Sequence, residues 1–185
     1  MFIADIVFCD IDGCIANDKH RLQWITTQKG TFIDWNYYLN PALMKQDRPF
    51  PGAAEVLMSI IEHRVADILY ITGRPKTDDV IVTTIDWLTA NGFPRATMGH
   101  IRFRPLPEDP MYKPEFVSDS AFKNAMITDL YQVTAQRHKI ILAFDDLEPN
   151  IEMYKSRNIP IIAIRHLDDW LWIKNWVSVL WLQAH

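Results

Sequence analysis

The sequence predicts an α/β fold, a parallel sheet covered by helices on both faces in three layers. Five short apolar runs rich in β-branched residues recur along the 185-residue chain. The runs are continuous rather than alternating, which is what strands buried on both faces look like. A helical pattern lies between each run and the next, so the chain reads as successive right-handed strand–helix–strand units.

The first run, IADIVFCD (3–10), predicts the first strand. PGAAEVLMSIIEHR (51–64) opens on Pro-Gly and carries Val56, Leu57, Ile60 and Ile61 at helical spacing. ADILYIT (66–72) is the second strand. A helix over 77–92 then opens on Thr with acids and closes on Asn-Gly, a C-terminal cap signal. HIRFR (100–104) is the third strand, and a long helix over 118–137 starts on Ser-Asp-Ser. KIILAFD (139–145), a short helix over 148–158 and IPIIAI (159–164) complete the rhythm. The tail, 167–185, is a Trp-rich terminal helix in which Trp172, Ile173, Trp176, Val177 and Leu180 form a stripe. Residues 17–50 fall outside the rhythm and read as a small helical or loop flap inserted after strand one, within a single domain spanning 1–185.

Composition excludes several classes. The chain is 49% hydrophobic with net charge −4 and pI about 5.8, so no global basic field gathers nucleic acid. Cys9 and Cys14 read as reduced thiols. MFIADIVFCDID has no basic region ahead of its apolar run, so it does not read as a signal peptide. Every apolar stretch is shorter than the roughly 20 residues of a membrane helix. The expectation is a soluble cytoplasmic protein.

In an open α/β sheet, ligands bind outside the carboxyl ends of the strands. Strand one delivers Asp10 with Asp12 just beyond; strand two delivers Thr72, Gly73 and Arg74; strand four delivers Asp145 and Asp146. Lys123 lies near the start of the helix before strand four. Clustered carboxylates repel unless a cation lies among them, and an all-oxygen ligand set implies a hard one, Mg2+. Asp10 is then placed as a nucleophile toward phosphorus and Asp12 as an acid/base, with Gly13 allowing the turn after them. The Thr72 hydroxyl, the backbone N–H of the loop that follows at Gly73, and the Lys123 ammonium would hold phosphoryl oxygens, and Arg74 would contact substrate rather than form a surface salt bridge. Asp146 reads as a residue supporting the ligands from behind or capping the next helix.

DIDG (10–13), YITGRP (70–75), the lysine of FKNAMI (122–127) and FDDLEPN (144–150) resemble, in order, the four motifs of the haloacid dehalogenase (HAD) superfamily. The resemblance implies a Rossmann-like sheet of order 5-4-1-2-3, Mg2+ and an aspartyl-phosphate route. It makes Asp10 nucleophile, Asp12 acid/base, Thr72 and Lys123 phosphate ligands, and Asp10, Asp145 and the Asp12 carbonyl metal ligands. Within the superfamily, DIDGCIANDKHR, TGRP, FRP (103–105) and the Asp-Asp pair look most like the 3'-phosphatase domain of phage-type polynucleotide kinases. Cys14 stands where the superfamily usually has threonine, and Leu147 where that subfamily often has arginine.

The function expected is a Mg2+-dependent phosphomonoester hydrolase acting on nucleic-acid 3'-phosphate ends or nucleotides. The alternatives are a 5'-nucleotidase or small-molecule phosphatase, and a receiver-like module that keeps its phosphoryl group. No membrane partner is expected, and the Trp-rich helix is a candidate homodimer surface.

Overall fold

The computed structural model describes residues 5–25, 35–63, 65–114, 116, 118–133 and 139–183. Strands run β1 (Ile6–Cys9), β2 (Ala16–Asn17), β3 (Arg48–Pro49), β4 (Asp67–Pro75), β5 (Ile101–Arg104), β6 (Ile140–Asp145) and β7 (Ile161–Ala163). Helices run α1 (Lys19–Ile25), α2 (Trp35–Tyr38), α3 (Pro41–Met44), α4 (Ala53–Glu62), α5 (Asp78–Ala90), α6 (Asp119–Val133), α7 (Glu148–Ser156) and α8 (Asp169–Gln183).

The central sheet has the order β5-β4-β1-β6-β7 and every pairing in it is parallel. Numbering only these five strands, and reading from the β7 edge, this is the expected 5-4-1-2-3. Alternation along β1 explains why its run is apolar throughout. Val7 and Cys9 enter a core with Leu57 of α4, Trp87 of α5 and Trp170 of α8. Ile6 and Phe8 enter a second core with Phe122 of α6 and Tyr154 of α7. Both faces are therefore buried, and the only polar outlet for the strand is its carboxyl end.

The described residues between 16 and 49 lie outside the central sheet. β2 and β3 pair antiparallel, Ala16 with Pro49 and Asn17 with Arg48, closing the base of an excursion that holds α1, α2 and α3. α3 starts cleanly, with Pro41 in its first turn and the Asn40 side chain accepting from the Ala42 N–H at 2.9 Å. The stretch 26–34 of the expected flap, and 134–137 of the expected long helix, lie outside the described residues.

Trp170 anchors α8. Its buried ring lies 4.6 Å from that of Phe144, and its Nε1–H donates to the Cys14 carbonyl at 2.7 Å. Trp172 and Trp176 point outward, 75% and 70% exposed, while Ile173 packs on the core. Cys9 and Cys14 are buried free thiols. No described helix is long and apolar enough to cross a membrane.

Candidate active site

The carboxyl ends of β1 and β6 lie side by side because these strands pair directly. The Asp10 N–H donates to the Phe144 carbonyl at 3.0 Å, which holds Asp10 beside Asp145 at the tip of β6. Lys123 enters from α6 and is fully buried. Its ammonium lies 2.8 Å from Asp10 Oδ1, 2.8 Å from Asp145 Oδ2 and 2.8 Å from Asp119 Oδ2, one turn earlier on the same helix. Burial alone would lower the Lys123 pKa, but Asp10, Asp145 and Asp119 raise it well above the ordinary value and keep it charged. Asn150 of α7 donates from Nδ2 to Asp119 Oδ2 at 2.7 Å and to Asp145 Oδ1 at 2.9 Å, locking both carboxylates.

One ammonium does not balance these acids. Asp10, Asp145 and Asp146 each present an oxygen within 4.8 Å of the others. Burial, offset in part by Lys123 and reinforced by Asp145, Asp119 and Asp146, raises Asp10 well above the carboxylate range. Burial and Asp145 push Asp146 up to about 7. Asp146 Oδ1 and Asp119 Oδ1 are buried without a hydrogen-bond partner among the described residues. Orphaned, crowded carboxylate oxygens are the environment that a hard divalent cation relieves, so Asp10, Asp145 and Asp146 fit Mg2+. The structure draws Asp146, which the sequence placed behind the ligands, into the same oxygen cluster.

Asp12 is turned to a different set of partners. Arg74 donates from Nε to Asp12 Oδ2 at 2.9 Å and from an Nη to Oδ1 at 2.7 Å; an Nη of Arg21 donates to the same Oδ1 at 2.5 Å. Both arginines also bond Asp47: Arg21 through Nε at 2.9 Å and an Nη at 2.7 Å, Arg74 at 3.2 Å. The result is a quartet of two aspartates and two arginines in which only Asp12 keeps exposure, 15% of its side chain. Burial works against ionisation of Asp12, but Arg74 and Arg21 overcome it and hold the carboxyl well below the usual range. Arg74 was expected to contact substrate; its guanidinium is fully buried and spent on Asp12, Asp47 and the Thr84 hydroxyl at 3.0 Å. It is re-aimed by a local irregularity in β4: Thr72 pairs with Phe103 but Pro75 with the next residue, Arg104, so extra chain bulges out between them.

Two glycines admit the acids. Gly13 has φ +75°, and a Cβ there would lie 2.3 Å from Asp146 Oδ2. At Gly73 a Cβ would lie 2.7 Å from Asp119 Oδ1. Gly13→Ala is expected to cost about 1–3 kcal/mol, by left-handed strain plus the push on Asp146. Gly92→Ala serves as control, having φ +74° and nothing within 4 Å of the added Cβ. Urea unfolding checks the pair; equal costs would show that the Asp146 contact is immaterial.

Asp10, Asp12, Asp18, Asp119 and Asp146 line an open cavity of about 510 Å³. Leu22, Trp35, Tyr38, Leu39 and Leu147 line it too, with Gly73 of β4 and Arg104 of β5. Thr72 is fully buried, its Oγ1 accepting the Arg74 N–H at 3.2 Å. A larger cavity of about 650 Å³ between α4, α8 and the sheet carries no titratable lining residue.

Asp47 and Asp119 are site residues that the sequence reading did not single out; Arg21 reads in sequence only as a flap residue that gates substrate, and Asn150 as an interior position of the start of α7. Asp119 was within reach, as the acid four residues before Lys123 on one helix face. Arg21 and Asp47 lie in the insert, where no periodicity reports which side chains face inward.

No protein-family model matches the chain, and no curated protein matches it in sequence. Solved structures do match in fold. They include the class C acid phosphatase from Bacillus anthracis, at 18% identity and TM-score 0.57 over 86% of this chain and 66% of that one. A second structure of that enzyme, with tungstate bound, matches at TM-score 0.56. A chain of the Pnkp1/Rnl/Hen1 RNA repair complex matches at 16% identity and TM-score 0.58 over 87% of this chain. The chain spans about two thirds of the acid phosphatase and 42% of the repair-complex chain. The chain thus shares the fold of these proteins, with its acid cluster at the carboxyl ends of the central strands.

Proposed function

We propose that the protein is a Mg2+-dependent phosphomonoester hydrolase that works through an aspartyl-phosphate on Asp10. The observation that carries this reading is the arrangement at the strand tips: one buried ammonium faces Asp10, Asp119 and Asp145, with Asp146 beside them, at the floor of an open cavity. Mg2+ held by Asp10, Asp145 and Asp146, and by the Asp12 carbonyl that the motif resemblance adds, would neutralise charge on the phosphoryl oxygens.

Asp10 attacks phosphorus with a carboxylate oxygen as the ester P–O bond breaks and the leaving alkoxide takes up a proton. Water then attacks the aspartyl-phosphate, giving up a proton and releasing inorganic phosphate and the Asp10 carboxylate. Asp12 handles both protons in this reading. Accepting the water proton matches the ionised state that Arg21 and Arg74 enforce. Donating to the leaving oxygen does not, so the donor form belongs to a state in which the arginines loosen their grip. The loop N–H at Gly73, on the cavity wall, would hold a phosphoryl oxygen. Lys123 offsets the charge of Asp10, Asp119 and Asp145 from beneath, and the Thr72 hydroxyl and the Arg74 N–H are bonded to each other.

Residues 17–50 act as a cap in this proposal, because Leu22, Trp35 and Leu39 add apolar surface to the cavity that the acids line. A leaving group with a flat apolar face, a nucleoside or a nucleic-acid 3' end, suits that surface better than a small sugar. Likeness to a chain of an RNA repair complex supports the polymer end; likeness to an acid phosphatase leaves room for a free nucleotide. Exposed Trp172 and Trp176 on α8 support self-association there. A soluble cytoplasmic setting accords with the reduced thiols.

Phosphate release with Mg2+ from 3'- and 5'-phosphorylated oligonucleotides, mononucleotides, sugar phosphates and an aryl phosphate tests the proposal. Release from at least one ester, abolished by EDTA, is expected. No release from any of them, or release indifferent to EDTA, overturns it.

The acid cluster also predicts a pH dependence of stability. Asp146 titrates near 3.8 in the unfolded chain and about 7 when folded, so the folded state binds more protons between those values. Stability of the ion-free protein therefore falls as pH rises from about 4 to 7. Asp12, with its lowered pKa, loses its contribution only at more acidic pH and is flat in this window. In EDTA the melting temperature is expected to drop by several degrees from pH 5 to pH 8, and added Mg2+ to raise it far more at pH 8 than at pH 5. Thermal unfolding at the two pH values checks this; equal Mg2+ effects would count against the cluster as the ion site.

A further inference from the structure

We propose that Arg104 reads a second anionic group on the substrate, so that the site selects phosphomonoesters whose leaving group is itself negatively charged. This deepens, and rests on, the hydrolase reading above. Arg104 ends the edge strand β5, on the side of the sheet where the acids sit. It is the one cation among the described residues lining the 510 Å³ cavity, against five aspartates. Its backbone is committed, the carbonyl accepting the Lys76 N–H at 2.9 Å. The residue is partly buried, and its guanidinium has no hydrogen-bond or ion-pair partner among the described residues.

Its neighbours do not share this condition. Arg102, two residues earlier on the same face of β5, donates to the Gly99 carbonyl at 3.1 Å and faces a separate groove. In that groove Lys76 pairs with Asp109 at 2.8 Å and Lys113 with Asp129 at 3.1 Å. Arg74 and Arg21 are spent on Asp12 and Asp47. Lys123 is spent on three carboxylates. Arg104 alone offers the cavity an unused planar fork of donors, the geometry that matches phosphate. The bulge in β4 shifts the register there: Pro75, not Arg74, pairs with Arg104, while Gly73, in the same cavity wall, lies against Asp119. A phosphoryl group at Asp10 and a second anion at Arg104 would thus belong to one ligand that crosses the Gly73 floor with its flat part against Trp35.

Adenosine 3',5'-bisphosphate, adenosine 3'-monophosphate and a 3'-phosphorylated dinucleotide are the probes, with Arg104→Gln as the variant. In Asp10→Asn protein, which cannot turn over, titration calorimetry should show the bisphosphate and the dinucleotide binding about 10- to 100-fold tighter than the monophosphate. Arg104→Gln in that background should erase most of that preference. In the wild-type background the ratio of kcat/KM for the esters with a second phosphate group over the monophosphate should fall likewise. An Arg104→Gln protein that keeps the preference overturns the proposal, as does a parent protein that has none. Preference for the dinucleotide alone assigns the second anion to a phosphodiester; equal preference assigns it to any second phosphate, free or esterified. Absence of turnover with binding preference intact would sink the hydrolase reading and leave Arg104's role standing.

Discussion

Asp10→Asn is expected to lower phosphate release by about 10⁴-fold or more while leaving the protein as stable as the parent, or more so. The loss follows from chemistry: an amide oxygen cannot form the acyl-phosphate, and removing a nucleophile that acts as part of a unit costs nearly the whole enhancement. The gain follows from electrostatics. Burial and the neighbouring acids hold Asp10 above the carboxylate range, so its ionised form is costly in the folded state without a cation. Asparagine is neutral and still offers Oδ1 to the Lys123 ammonium, now 2.8 Å away. Steady-state phosphate release and thermal unfolding in EDTA measure the two effects together. More than a few per cent of wild-type turnover would end the nucleophile assignment, and a large loss of stability would mean that the cluster is balanced without metal. Sites tuned for chemistry commonly trade stability in this way.

Arg74→Leu has the largest expected effect on folding. It leaves Asp12 with Arg21 alone and strips Asp47 of its second partner, in surroundings where Arg21 and Asp47 have no exposed side-chain surface. Removing one member of a buried ion network costs about 3–5 kcal/mol, because the remaining charges stay desolvated and unpaired. For a chain of this size that is on the order of 10 °C in melting temperature. Arg74→Lys should recover little, since a single ammonium cannot span Asp12 Oδ1, Asp12 Oδ2 and Thr84 as the guanidinium does. Urea unfolding at pH 7 measures the cost; less than about 1 kcal/mol would show that Asp12 is held by other means. Activity should fall as well, since Arg74 positions Asp12 across the cavity floor from Asp10.

Much of the fold was legible because its signals are local. Each apolar run that marked a strand is buried on both faces, and Val7 with Cys9 against Ile6 with Phe8 shows why neither face could be polar. Caps and helical spacing placed α4, α5 and α7 to within a few residues. The acids Asp10, Asp145 and Asp146 were legible for the same reason: a carboxylate closing an apolar run can only emerge at the strand tip. Trp172 and Trp176 show the limit, since helical spacing marks a stripe but not which side of α8 meets the sheet; Trp170 took the inward place.

By itself, then, the chain's pattern of apolar runs and punctuating acids determined the parallel sheet and the convergence of Asp10, Asp145 and Lys123 at its carboxyl end. Only the tertiary structure decided what those residues touch. Arg74 turned inward to Asp12 because β4 bulges after Thr72. Arg21 and Asp47, 26 positions apart, met there because the insert folds back through the β2–β3 pair. Arg104, at the end of the edge strand β5, has no hydrogen-bond or ion-pair partner among the described residues. Partnerships of this kind depend on distances between elements remote in sequence, and side-chain charge carries no periodicity from which such distances can be read.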